Sequence, residues 1–202
     1  MKHHSIKGDT FMKLQSFSMS LGFVALMASL PAHAQTYTID PSHTYPSFEI
    51  GHNGISFWRG KFTQTTGSVT LDRAAKTGSV DITVDPSSIN MGLATMDEHA
   101  RGKDFFNVAN YSKITYKGRI TQWKGDTPQA VEGEMTLLGI SKPFNLEIRS
   151  FKCIMHPMLK REVCGADAYG SFKRSDFGMK YGLPKHGDEA RVAIQIEALK
   201  AD

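Results

Sequence analysis

The sequence predicts a mainly β domain of about eight antiparallel strands, and three observations carry that prediction. Apolar and polar residues alternate with period two along several segments, short turn signals separate those segments, and no helix of crossover length lies between them. Val80, Ile82 and Val84 alternate with Ser79, Asp81 and Thr83. Ile114, Tyr116, Gly118 and Ile120 do so with Thr115, Lys117, Arg119 and Thr121, and Val131, Gly133, Met135 and Leu137 with Glu132, Glu134 and Thr136. Phe144, Leu146 and Ile148, and later Val192, Ile194 and Ile196, repeat the pattern. Side chains alternate across a strand, so each segment turns one face inward and one to water. Further strands fit residues 48–53, 60–71 and 166–173. Turn signals stand at Lys76-Thr77-Gly78, Lys124-Gly125-Asp126 and Leu138-Gly139-Ile140-Ser141. Eight strands with one apolar face either close into a barrel or pack as a sandwich.

The chain begins with a different composition. Lys2, Lys7 and Lys13 precede an apolar run from Phe17 to Leu30, and Ala32-His33-Ala34 follows as a small-x-small cleavage site. This is the layout of a secretory signal peptide, and the run is shorter than the roughly 20 residues of a spanning helix. Residues 1–34 are therefore read as a cleaved leader, with Met12 an alternative start, and 35–202 as one exported domain without a membrane span, for which transient membrane contact stays open. The leader holds three lysines and Asp9, so its removal takes the formal net charge from +4 to +2. A weak charge without a Lys/Arg cluster gives no nucleic-acid footprint.

Cys153 and Cys164 both fall in the exported part, with ten residues between them. In an oxidising compartment such a pair forms a disulfide, and closing a loop of that size stabilises the fold by roughly 3 kcal/mol. A metal site needs more ligands than these two cysteines supply. His156 lies inside the loop and reads as a turn residue.

From Asp85 to Tyr111 the alternation stops. Thr95 to Arg101 reads as a short helix, with Thr95 as N-cap and Glu98 three residues on. Asp104-Phe105-Phe106-Asn107 follows, and two adjacent phenylalanines argue for an ordered lid or plug at one end of the sheet. Asp97 and His99, with Asp104 nearby, are the minimum for an acid/base or metal cluster, but a spacing of two does not share a helix face. Asp40-Pro41-Ser42-His43-Thr44 reads as a loop tied by its own side chains, and Arg174 is expected to pair with Asp176 in a turn that drives Phe177 inward. No phosphate loop, nucleophile elbow or zinc spacing is present. Inward Gly118, Gly133 and Gly170 mark bends, or places where a ligand runs close to backbone. The many inward Phe, Tyr and Met residues suit an adaptable apolar pocket as well as a filled core.

Taken in order, Asp40-Pro41-Ser42-His43-Thr44, Phe48, His52, Gly54, Phe57, Gly60 and Phe62, then Ser88-Ile89-Asn90, Asp97, His99, Asp104-Phe105-Phe106-Asn107 and Tyr111, and finally Gly133, Gly139, Lys142-Pro143 and Arg174-Ser175-Asp176-Phe177-Gly178, resemble the YceI-like family of lipocalin-like, polyisoprenoid-binding bacterial proteins. The resemblance runs from about Thr36 to Leu199. It implies an extended eight-stranded antiparallel lipocalin-like β-barrel with one or two short helices capping an end. It further implies a long apolar tunnel for a polyisoprenoid or quinone-type lipid, residence in the periplasm, and a homodimer. No catalytic or metal-binding residue and no cofactor carries over. On this reading the tunnel is lined in the N-terminal half by Phe48, Ile50, His52, Phe57, Phe62, Ile82 and Ile89. The lid adds Phe105 and Phe106, and the C-terminal half adds Tyr116, Met135, Leu137, Ile148, Phe177 and Met179. Asp97, His99, Arg101 and Asp104 stand as head-group candidates. Two other functions stay open: a sequestering module for exogenous amphiphiles or antibiotics, and an enzyme acting on an isoprenoid or quinone.

Overall fold

A computed structural model describes residues 34–202; the segment read as a leader lies outside the described residues except for Ala34. Eleven strands follow one another: β1 (Gln35–Ile39), β2 (Tyr45–His52), β3 (Ser56–Phe62), β4 (Thr65–Asp72), β5 (Thr77–Val84), β6 (Ile89–Asn90), β7 (Ile114–Lys124), β8 (Thr127–Leu137), β9 (Ile140–Met155), β10 (Glu162–Lys173) and β11 (His186–Lys200). One helix, α1 (Ala94–Arg101), lies between β6 and β7. The sheet order β1-β4-β5-β7-β8-β9-β10-β11 closes on itself where Thr38 of β1 faces Leu199 of β11. Eight antiparallel strands thus form a closed barrel, which leaves this ring without edges.

The extra strands are continuations across breaks. β2 runs on from β1 along the same edge of β11, with Val192 opposite Phe48. β3 precedes β4 in the same way, and the two-residue β6 extends the line of β5 beside Phe62. Each break has a local cause. Asp40 accepts hydrogen bonds from the backbone and hydroxyl of Ser42 between β1 and β2. Ser88 Oγ accepts from the backbone N–H groups of Thr63 and Gln64 between β3 and β4, and Asp85 caps the 3-10 turn that carries Ser88.

The alternation read from the sequence sets the wall of the barrel. Val80, Ile82, Val84, Ile114, Tyr116, Ile120, Phe144, Leu146, Ile148, Val192, Ile194 and Ile196 all belong to the core or pack against it. β1 is an element the sequence reading lacked. Its five residues adjoin the leader, yet buried Tyr37 and Ile39 already show the period of two.

Three details correct the expectations. Thr95 does not cap α1: the helix begins a residue earlier after extended Leu93, and Asp97 instead turns its carboxylate back to the backbone N–H of Met91, 2.6 Å away. Arg174 does not pair with Asp176; almost fully buried, it donates to the carbonyls of Gly187, Met179 and Tyr181 at 2.8–3.0 Å. Inward Gly133 and Gly170 make room for the protein's own rings, and Gly118 for the side chain of Val131. A Cβ on Gly133 would stand 2.7 Å from the Tyr116 ring, and one on Gly170 2.9 Å from that of Phe144. Cys153 and Cys164 are bonded directly across β9 and β10. His156 is a turn residue, its Nδ1 accepting from the backbone N–H groups of Met158 and Leu159.

Candidate functional site

The barrel is hollow. A cavity of about 220 Å³ extends from Met96, His99 and Phe105 beneath α1 to Leu71, Ile120 and Pro128 at the opposite end. That is far beyond the roughly 10–15 Å³ that one water requires. The closed sheet places it: every second residue of eight strands points inward, and most are Val, Ile, Leu, Phe or Met. Its wall is almost wholly apolar, which suits an apolar ligand.

The few polar side chains on the wall are mostly engaged. Thr44 Oγ1 bonds both backbone groups of Glu197, and Arg174 is held by carbonyls. Burial lowers the Arg174 pKa, while the charge of Asp188 opposes that shift. Tyr37 donates to Glu162; burial, then that hydrogen bond and charge, push its phenol up to about 12. The Tyr116 hydroxyl is buried without a partner among the described residues, and burial keeps it protonated far above its ordinary range. The charge on Arg174 is thus satisfied by backbone, and the two tyrosine hydroxyls on the wall stay protonated.

Eleven of the fifteen expected lining residues reach this cavity: Phe48, Ile50, Phe62, Ile82, Phe105, Phe106, Tyr116, Met135, Leu137, Ile148 and Met179. Four do not. Phe57 points outward and is 44% exposed, with Arg59 and Arg191 over its ring, because Trp58 shares the inward parity of Gly60 and Phe62. Phe177 is buried behind the wall, edge-on to Phe172. Ile89 is buried where β6 meets Phe62, off the cavity surface. His52 stacks at 4.0 Å on Trp58 and at 5.0 Å on His186, beyond the cavity.

Of the head-group candidates, His99 alone lines the cavity. Met96, His99 and Ala100 follow helical i, i+3, i+4 spacing and turn that face of α1 inward. Asp97 and Arg101 lie off that face, and Asp104 precedes the inward Phe105 without reaching the wall. The sequence reading missed Met96, Met91, Trp58 and Arg174 at this end. Helical spacing in α1 and strand parity in β3 were the available signals. His99 meets Phe105 and Tyr181 edge-on at 5.0 and 5.6 Å, so aromatic rings pack around it at this end. Burial, then the neighbouring His52, Arg174 and Lys185, lower the pKa of His186.

Two arrangements that resemble chemistry lack it. Ser42 Oγ and Asp40 Oδ2 both meet Nδ1 of His43, at 3.1 and 2.7 Å, whereas a catalytic relay uses the two ring nitrogens separately. Cys153, Glu162 and Cys164 bring ligand atoms within 4.8 Å of one another, but both sulfurs are spent in the disulfide. Among the described residues, no helix is long and apolar enough to cross a membrane.

Comparison with known proteins follows the same lines. A UPF0312 protein of Shewanella putrefaciens is 29% identical over 192 residues, 94% of this chain and 100% of that relative. Protein YceI of Escherichia coli O157:H7 is 30% identical over 186 residues, 90% of this chain and 96% of its own. Among solved structures, BcnA of Burkholderia cenocepacia superposes with a TM-score of 0.63 at 19% identity, covering 79% of this chain and 99% of BcnA. A polyisoprenoid binding domain from Saccharophagus degradans superposes with a TM-score of 0.59 at 14% identity, covering 82% and 98%. These two show the shared fold. The YceI-like domain matches residues 37–198, nearly the whole barrel, and the chain belongs to the YceI-like family.

Proposed function

We propose that the protein is a periplasmic carrier that holds a long-chain polyisoprenoid or quinone-type lipid in its tunnel and performs no chemistry on it. The observation that carries this reading is the apolar cavity running from α1 to the β4–β5 and β7–β8 turns. The polyisoprenoid binding described for a protein of the same fold supports it. So does the wall itself, where Thr44 and Arg174 bond the protein's own backbone. Export rests on the leader pattern, and a homodimer on the family resemblance.

Energetics favour a carrier over a trap. Removing a methylene from water yields roughly 0.8 kcal/mol, so a forty-carbon tail would yield about 30 kcal/mol. Non-covalent binding saturates near 18–21 kcal/mol. Water is the wrong reference, because such a tail resides in a bilayer about as apolar as this wall. Exchange between bilayer and tunnel is then close to neutral, and the rings at the mouth can decide which lipid enters. Native mass spectrometry of protein purified from its own host tests the reading. A co-purifying lipid with a polyprenyl chain is expected, and protein free of any lipid would refute it.

A further inference from the structure

The end of the barrel opposite α1 carries an apolar surface that the tunnel does not explain. Ile154, Met155, Met158 and Leu159 are 49, 64, 82 and 53% exposed, four large apolar side chains within six consecutive positions. Single exposed apolar residues are ordinary, but a contiguous group marks an interaction site. β8 accompanies β9 only as far as Glu147, and β11 accompanies β10 only as far as Val163. The β9–β10 hairpin thus runs well past the end of β8 before it turns, while Arg161 and Glu162 tie its β10 side to the barrel end at Lys200 and Tyr37.

This tip is built to stay in shape. The Cys153–Cys164 disulfide ties its two strands where they leave the wall. His156 accepts the N–H groups of Met158 and Leu159, and its backbone pairs with Arg161 and Lys160. Backbone donors inside the turn are thereby satisfied while Met158 and Leu159 point outward. An element satisfied in this way can enter a less polar layer at lower cost than a loose loop.

We infer that the β9–β10 tip docks the protein on an anionic phospholipid bilayer, with Met155, Met158 and Leu159 entering the headgroup region and Lys152 and Lys160 meeting the lipid phosphates. Charge selects this occupant. No acidic residue occurs from Ser150 to Arg161, and both lysines are exposed. Arg161 is already held by the Lys200 carbonyl and faces Asp202, so the two lysines supply the charge. Shape agrees: the apolar group crowns a narrow projecting turn. Such a tip suits shallow insertion of roughly 5–10 Å better than the broad patch that a protein partner covers. The cavity wall ends at Phe151, Cys164 and Gly165, at the root of this hairpin. Docking goes beyond the carrier reading and stands whatever occupies the tunnel.

Vesicle co-sedimentation of the delipidated protein tests the inference. Binding is expected to vesicles containing phosphatidylglycerol and to be weaker on phosphatidylcholine alone. The Met158→Asp/Leu159→Asp variant should bind the anionic vesicles at least roughly tenfold more weakly, and Lys152→Glu/Lys160→Glu should lose the preference for them. Ile55→Asp, 83% exposed on the β2–β3 turn, serves as the control and should bind like the unaltered protein. Leu159→Trp keeps the tip apolar, and its emission should shift to the blue on anionic vesicles. An unshifted Leu159→Trp emission, full binding by the Asp variant, or tip substitutions that instead split a homodimer would each overturn the inference. Because the protein is delipidated, absence of a tunnel lipid leaves the result unchanged.

Discussion

The ring of Tyr116 lies against the backbone of Gly133, so close that a Cβ there would stand 2.7 Å from both its Cζ and its hydroxyl oxygen. The carbonyl of Lys117 would be nearer still, at 2.6 Å. A ring can swing away from such a clash, but a strand carbonyl cannot. Gly133→Ala is therefore expected to destabilise the barrel by about 1–3 kcal/mol. At this chain length that is a fall in Tm of roughly 2–4 °C per kcal/mol. Gly165→Ala is the matched control: its Cβ would meet Glu197 and Ile196 at 3.5 and 3.6 Å, ordinary contact, and its Tm should hardly move. Thermal melts of the two variants side by side decide the point. Equal losses would show that the glycines serve strand flexibility and not the seating of Tyr116.

Arg174 supports a second prediction. Arg174 is 1% exposed, and its guanidinium donates to the carbonyls of Met179, Tyr181 and Gly187. Arg174→Ala would leave several buried acceptors unpaired, each costing about 1–3 kcal/mol, for a total loss of about 3 kcal/mol or more. Arg174→Lys keeps a charge but not the planar fork, and should lie between the two. Urea unfolding midpoints in the order wild type, Lys, Ala are expected. A near-neutral Arg174→Ala would mean that the segment after β10 does not depend on this side chain.

What could be read beforehand follows from which forces act locally. The wall of the barrel was legible because strand parity is a property of neighbours: once Ile82 or Leu146 is inward, the residues two away are too. A strand that starts at Gly60 leaves Phe57 without a parity reference. Extending β3 back to Ser56 makes Trp58 the inward aromatic residue. In α1 the acidic residues lie off the cavity, while the inward face, Met96, His99 and Ala100, is visible only when the helical period is applied. The partners of Arg174 lie on backbone 5–13 residues away, brought together by a turn whose shape no short-range pattern encodes. The role of the inward glycines is likewise hidden, since the side chains they accommodate belong to other strands or to non-adjacent positions.

The Asp40–His43 contact predicts a pH response confined to the β1–β2 turn. The Asp40 hydrogen bond and charge raise the His43 pKa above 6.5. Burial of Asp40 would raise its own pKa, but hydrogen bonds from Ser42 and His43 outweigh this and hold it below 3.8. A raised histidine contributes stability fully below pH 6.5, and that contribution disappears as pH rises through its folded-state pKa. A lowered carboxylate contributes above pH 3.8 and loses that contribution as pH falls through its folded-state pKa. The turn is thus best held between these limits. NMR titration of the His43 ring should give a pKa above 6.5, and Asp40→Asn should bring it back toward that value. No change in Asp40→Asn would remove Asp40 as the cause.

Ile194 lines the tunnel partway along β11 and is only partly buried, so its side chain borders open space. Ile194→Trp places an indole into that space. In a solid core the extra volume would cost about 1–3 kcal/mol through forced rotamers and backbone shifts. In a hollow barrel the ring gains contacts with walls that have none on one side, so stability should hold or rise. Lipid content should move the opposite way, because a chain that threads the barrel must pass this position. The expected outcome is an unchanged or higher Tm together with a marked fall in lipid recovered by extraction. A lower Tm with lipid unchanged would mean that the chain does not run past β11, and would place the ligand elsewhere.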